Sequence, residues 1–191
     1  NLLCASAIGI YGDRGDELLT EASAPGTGFL VDLCRDWEHA AATAAEFGAR
    51  VVHLRLGVVL APEGGMLAKL LTPFQFGLGG PVGSGRQYLS WISLKDVSGA
   101  VRHILACTQL NGPVNLVAPE PVTSAEFARQ LAHALRRPAF LRTPAFVLRL
   151  ALGQMADEAI LASARVAPRA LERSGYRFAH PRLVDALRNS L

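Results

Sequence analysis

Ser6 stands in the run Ser6-Ala7-Ile8-Gly9-Ile10-Tyr11-Gly12, directly after the short apolar stretch Leu2 to Ala5. A hydroxyl at the end of a buried strand can hydrogen-bond a reacting carbonyl or alcohol, so Ser6 is a candidate catalytic residue. The competing reading is an ordinary strand-end serine. Cys34 is a candidate acid/base or nucleophile, or a core thiol on an apolar helix. Tyr11 could swing toward a substrate or pack within its own loop. Asp32 and Glu38 share the stretch that carries Cys34; a carboxylate there acts as a base if it faces a cleft, and otherwise pairs with one of the seventeen arginines. Arg86 follows a loop, Gly77 to Gly85, with five glycines in nine positions. Its guanidinium could hold a substrate phosphate or carboxylate with two N–H groups, or point into solvent.

Other chemistries lack their residues. His39, His53, His103, His133 and His180 never fall at ligand spacing with one another or with a cysteine, so no metal site is expected. No strand runs into G-x-G-x-x-G and a helix with an acidic residue about 20 positions on. Gly77-Leu78-Gly79-Gly80-Pro81 follows Phe74-Gln75-Phe76 and contains a proline, which does not build a phosphate cradle on a helix N-terminus. The net charge is +3, but the arginines form no block, and nucleic acid is not an expected partner. The apolar run Ala145 to Leu152 is short and interrupted by Arg149, so no membrane association is expected. Three widely spaced cysteines, Cys4, Cys34 and Cys107, suit a reducing compartment; with no signal-peptide pattern in the first residues, the cytoplasm is expected.

These candidates need a scaffold. The 191 residues, half of them hydrophobic and 18% charged, suffice for one substantial core. Buried strands are expected at Leu2 to Ala5, Val51 to Leu56 and Val114 to Val117. Between them, Phe29 to Phe47 carries an apolar stripe at Phe29, Leu33, Trp37, Ala40, Ala41 and Ala44, with Gly48 as its stop. Further helices are expected around Leu67 to Phe74, Asp96 to Cys107 and Thr123 to Leu135, the last opened by a Thr123/Glu126 capping box. Tyr88 to Ser93 reads as extended. Beyond Pro138 come helical pieces at Phe146 to Leu152, Pro168 to Ser174 and Pro181 to Leu191. Strands alternating with helices imply an α/β fold with a parallel sheet, whose ligands gather beyond the strand ends at Ser6 to Tyr11, Arg55 to Leu60 and after Val117.

Ser6 to Gly12 resembles the strand-five signature of extended short-chain dehydrogenases/reductases. Arg55-Leu56-Gly57-Val58-Val59-Leu60-Ala61-Pro62 is similar to their next strand, and Gly83-Ser84-Gly85 through Trp91-Ile92-Ser93-Leu94-Lys95-Asp96-Val97 to a substrate-domain stretch. Leu33-Cys34-Arg35-Asp36-Trp37-Glu38 and Phe76 to Gly85 resemble an atypical, sugar-nucleotide-epimerase-like branch with a C-terminal helical domain of the DUF1731 type. The resemblance implies the C-terminal part of a Rossmann-type parallel sheet (residues 1–141) with a helical lobe (142–191). It also implies that NADP is the cofactor, met by Ser6, Ala7, Ile8, Arg55, Gly57 and Val58, and that a small polar or sugar-nucleotide-like substrate lies near Tyr11 and Arg86.

Two departures shape the expected activity. The family's Tyr-x-x-x-Lys dyad lowers a phenol's pKa so that it can exchange a proton while hydride moves. Four residues after Tyr11, Tyr88 and Tyr176 stand Gly15, Ile92 and His180, and Phe29 with Leu33 or Cys34 occupies the matching helix. In the family, the phosphate cradle precedes the point where this sequence begins. The chain is therefore expected to be N-terminally truncated and inactive alone, with Leu2 to Ala5 as an exposed edge awaiting the missing N-terminal segment or a dimer partner. A non-catalytic dinucleotide-sensing or interaction module is the alternative.

Overall fold

The computed structural model describes residues 1–191, save the side chains of residues 151 and 152. The first half contains β1 (Leu2–Ala7), β2 (Leu18–Leu19), α1 (Phe29–Ala42), β3 (Val51–Leu56), β4 (Val58–Leu60), α2 (Gly65–Gln75), β5 (Tyr88–Leu89) and β6 (Trp91–Ser93). There follow α3 (Leu94–Ala106), β7 (Gly112–Leu116), β8 (Val122–Thr123), α4 (Ser124–Leu135), α5 (Ala145–Leu152), a π-helical turn (Ala156–Leu161), β9 (Arg165–Val166), α6 (Arg169–Arg173) and α7 (Leu183–Ser190).

β1, β3 and β7 form a parallel sheet in that order, joined by helical crossovers as the alternation of elements required. The expected α/β class holds. Successive side chains on a strand point to opposite faces. One face of this sheet is apolar: Val52, Leu54, Val114 and Leu116 pack on Ala100 and Ile104 of α3 and on Leu171 of α6. The other face is polar. There Ser6 lies opposite Arg55, and Arg55 opposite Asn115.

That polar face explains the largest difference from the expected pattern. The stripe Phe29, Leu33, Trp37 does not face the sheet; Phe29 and Trp37 are more than half exposed. Instead α1 buries Val31 and Cys34 and turns Glu38 inward, spacings of i, i+3 and i+7 that form one helical face. The reason is electrostatic: a buried guanidinium on the sheet demands a carboxylate above it. The helix also ends earlier than Phe47. It tightens into a 3₁₀ turn over Thr43–Phe47, and Gly48, at φ 76°, takes the left-handed conformation that stops it.

A second core lies beside the sheet. Leu60, Leu67, Phe74, Trp91, Phe127, Leu131, Leu183 and Leu187 pack together, drawn from β4, α2, β6, α4 and α7. Thr123 caps α4, its hydroxyl accepting from the Glu126 amide at 3.2 Å. The capping box is only half made, however, because the Glu126 carboxylate accepts from Arg129 and Gln130. α3 is capped in the same way by Ser93, whose hydroxyl accepts from the Asp96 amide at 3.1 Å and donates to the Asp96 carboxylate at 2.7 Å.

Asp96 is where the C-terminal residues tie to the rest. Besides Ser93, its carboxylate accepts from the Tyr176 hydroxyl at 3.1 Å and from the amides of Ala179 and His180 at 2.7 and 3.0 Å. Residues 142–191 are also stitched on by the parallel pair β2–β9 and by the Ser90 hydroxyl, which donates to the Ala164 carbonyl. Among the described residues β1 pairs only with β3, so its other side is an open sheet edge. Among the described residues no helix is long and apolar enough to cross a membrane.

Candidate functional site

Two arrangements gather the chemistry-bearing residues, one on the polar face of the sheet and one beyond its strand ends. The first is a buried polar network under α1. Arg55 donates from Nε to Glu38 Oε1 and from Nη2 to Glu38 Oε2, both at 2.8 Å, and from Nη1 to the Tyr11 hydroxyl at 3.0 Å. Tyr11 in turn donates to Asn115 Oδ1 at 2.8 Å, and Asn115 Nδ2 donates to the Ala167 carbonyl at 3.1 Å. Ser6 extends the network at its other end by donating to Glu38 Oε1 at 2.8 Å.

The electrostatics show what this network can do. Burial alone would raise the Glu38 carboxyl, but hydrogen bonds from Arg55 and Ser6 and the guanidinium charge outweigh it and hold Glu38 below its ordinary range. Burial pushes the Tyr11 phenol up despite Arg55 and Asn115, and it pushes the Cys34 thiol up as well. His53, on the same face, is held down by burial, and its Nδ1 is buried without a partner. A fixed carboxylate, a protonated phenol and a protonated thiol are poor agents of proton transfer near neutrality. This is a structural tie.

The second arrangement is a cavity of about 280 Å³ beyond the strand ends. Its floor is Ala7, Ile8 and Gly9 at the end of β1 and Leu56, Gly57 and Val58 at the β3–β4 junction. Met66, Leu70 and Phe74 of α2 and Phe127 of α4 form one wall; Tyr88 to Ser90 and residues 158–160 form another. Its polar groups are mostly committed to the protein. Ser90 Oγ accepts from the Val166 amide as well as donating to Ala164; Ser124 Oγ accepts from the Val82 amide, and Gln87 Nε2 donates to the Val82 carbonyl.

Two titratable groups lie in that wall, Tyr88 and Glu158. Glu158 accepts from the Leu30 amide in the first turn of α1 at 2.7 Å, and that bond, with a second from Gln154, holds its carboxyl below the ordinary range. Gly28, at φ 129°, leaves room for this contact, since a Cβ there would sit 3.3 Å from Glu158 Oε2. The Tyr88 hydroxyl makes no hydrogen bond among the described residues, and the Arg165 guanidinium lies 5.2 Å from its ring centre.

The sequence candidates divide between the two places. Ala7, Ile8, Gly57 and Val58 line the cavity. Ser6 and Arg55 do not; the pleat sends Ser6 to the face opposite its neighbour Ala7, into the network. Tyr11 is fully buried, its hydroxyl is engaged with Arg55 and Asn115, and it does not line the cavity. Cys34 is buried on the inner face of α1, outside the cavity wall. Arg86 is exposed on its loop and also absent from the wall, so the expected phosphate clamp is not built. Asp32 makes a surface pair with Arg35 at 3.5 Å. Among the described residues no three His, Cys, Asp or Glu side chains converge on a metal-sized site.

Tyr88 and Glu158 escaped the sequence reading. Tyr88 could have been found from its place in a short strand beside the glycine loop. Glu158 could not, because its contact with Leu30 spans 128 positions.

Residues 143–190 match the family model described as a domain of unknown function, DUF1731. The chain is 48% identical over 186 residues to "Epimerase family protein Mb2239" of Mycobacterium bovis, an alignment covering 97% of this chain and 62% of that protein. It superposes with TM-score 0.91 and 33% identity on the crystal structure of human epimerase family protein SDR39U1 with NADPH, covering 98% of this chain and 63% of the other. A nucleoside-diphosphate sugar epimerase from Corynebacterium glutamicum superposes with TM-score 0.79 and 39% identity, over 97% of this chain and 36% of the other. The chain thus spans about three-fifths of the length of mycobacterial relatives that it matches. Its fold is the Rossmann-like α/β fold of these short-chain dehydrogenase/epimerase structures.

Proposed function

We propose that this chain is part of an epimerase family protein that binds NADP and acts as an oxidoreductase or epimerase on a small molecule, with the cavity floored by Ala7 to Gly9 and Leu56 to Val58 as the place where nicotinamide and substrate meet. The observation that carries the reading is the position of that cavity, beyond the carboxyl ends of adjacent parallel strands, where α/β sheets bind their ligands. The residues present fit one end of the cofactor. Small side chains and backbone at Ala7, Gly9 and Gly57 leave room for a flat ring, and Ile8 and Val58 would shield it from water. Bound there, a nicotinamide supplies hydride transfer.

The other end of the cofactor finds no cradle here. The first turn of α1, a natural anion site beside the cavity, is already taken by the Glu158 carboxylate. The reading therefore holds that the chain grips the nicotinamide end and little else, and that alone it turns over nothing. We also propose that the open edge of β1 is covered, by a further segment of a longer form or by a second copy.

Titration with NADPH and with reduced nicotinamide mononucleotide, followed by nicotinamide fluorescence, tests this. The two should bind within about threefold of one another, and Val58→Trp should abolish both. NADPH binding more than about a hundredfold tighter would show that phosphates and adenosine are held by these residues, and would overturn the reading.

A second reading, a non-catalytic dinucleotide-sensing or interaction module, is favoured by the internally satisfied wall, in which Ser90, Ser124 and Gln87 have spent their polar atoms on the backbone. Cofactor binding by a longer form without turnover over a panel of carbonyls and sugar nucleotides would select it.

A further inference from the structure

We propose that the cavity takes an uncharged, mostly apolar carbonyl compound or alcohol and excludes nucleotide-linked sugars. The inference deepens the functional reading above, and rests on it only in taking this cavity as the place where the small molecule binds.

The charges argue first. A nucleoside diphosphate needs its negative charge met by guanidinium, ammonium or free amide donors when it leaves water. The described wall holds no lysine or arginine; its titratable groups are Tyr88 and the Glu158 carboxylate. In the adjoining pocket, which shares Gly9, Gly12 and Glu158 with the cavity, stand Asp13, Asp157, Glu158 and Arg149. Arg149 is held by Asp157 at 2.8 Å. Three carboxylates against one engaged guanidinium leave that neighbouring pocket net negative, which disfavours a diphosphate beside the cavity. Arg86, the residue that could have answered it, lies outside the wall.

The hydrogen bonds argue second. A sugar ring presents several hydroxyls, and each left unpaired in a closed site costs its lost hydration. The hydroxyls and amide of Ser90, Ser124 and Gln87 already serve the backbone of residues 82, 164 and 166. The Tyr88 hydroxyl remains unengaged among the described residues. Tyr88 lines the cavity together with Met66, Leu70, Phe74 and Phe127, and a single hydroxyl on an otherwise apolar wall suits a ligand with one oxygen on an apolar body.

Methyl NMR can read the cavity directly, because the two methionines report different places: Met66 lines it and Met155 does not. In a chain labelled with ¹³C at the methionine methyls, 4-phenyl-2-butanone should shift Met66 saturably, with a Kd near or below about 1 mM, and leave Met155 in place. UDP-glucose at tenfold higher concentration should leave Met66 unmoved. Tyr88→Phe should weaken the ketone about two- to tenfold and leave butylbenzene unchanged, the loss of a single hydrogen bond. Ala159→Trp, at a position exposed on one side, should abolish the Met66 shift while far-UV circular dichroism stays the same. UDP-glucose moving Met66 and competing with the ketone would overturn the proposal, as would a ketone that moves both methionines alike. No cofactor is present in this experiment. Failure of NADPH to bind, with the Met66 result intact, would therefore sink the functional reading and leave the ligand class standing.

Discussion

Glu38 of α1 and Arg55 of β3 meet in a two-pronged ion pair, with both N···O distances 2.8 Å and both side chains nearly closed off from solvent. Taking two charges from water is costly, and the network of Ser6, Tyr11 and Asn115 is what makes the pair tolerable by satisfying the remaining donors and acceptors.

Removing one partner should therefore hurt more than removing both. Glu38→Ala leaves Arg55 charged and buried, and should cost about 3–5 kcal/mol. The double variant Glu38→Met with Arg55→Met should recover much of that. Urea midpoints at constant m-value measure both, and a double variant no better than the single would refute the argument.

Acid should destabilise the chain in two stages. His53, held below its ordinary 6.5, and Glu38, held below its ordinary 4.5, both bind fewer protons folded than unfolded. Each contribution is complete above its unfolded pKa and is lost as pH falls toward the folded one. The urea midpoint should be level above about pH 7, dip as the unfolded His53 takes its proton, and fall again below about pH 4.5. His53→Phe should remove the first dip. A midpoint that rises on acidification would contradict the assignment.

Asp96→Ala should loosen the C-terminal residues from α3. It deletes the acceptor for Ser93, Tyr176 and the amides of Ala179 and His180, and should cost about 3 kcal/mol or more. The signature is local. Amides 179 and 180 should exchange hydrogen much faster, while those of β3 change little at equal global stability.

Gly57→Ala should be poorly tolerated, since a Cβ there would lie 2.6 Å from the Ser90 carbonyl oxygen and 2.7 Å from Val117 Cγ1. Overpacking against backbone should cost about 1–3 kcal/mol and shift the cavity floor. A thermal midpoint unchanged from the parent would show that the β3–β4 junction relaxes freely.

The main sheet was legible from its apolar strands and helix signals; Val51–Leu56 falls where the sequence places it. What misled was reading each strand as apolar throughout. His53 and Arg55 alternate with Val52, Leu54 and Leu56, and Asn115 alternates with Val114 and Leu116, so period-two polarity was there to be read. Taken seriously, it marks a polar sheet face and predicts a carboxylate on the covering helix. That would have selected Glu38 over the stripe at Phe29, Leu33 and Trp37. The cavity was legible at its floor, Ala7, Ile8, Gly57 and Val58. Its walls come from α2, α4 and residues 158–160, and no local signal announces which distant segments fold over a strand end.

Ser6 and Ala7 are consecutive, yet one stabilises the buried network and the other floors the cavity. Selection can thus act on them separately. An Ala7→Ser exchange, within reach of a single nucleotide change, would place a hydroxyl in the cavity without touching the Glu38–Arg55 pair, whereas drift at Ser6 would remove its hydrogen bond to Glu38. Lineages carrying this strand can gain or lose a reactive group at the floor while keeping the same fold beneath it.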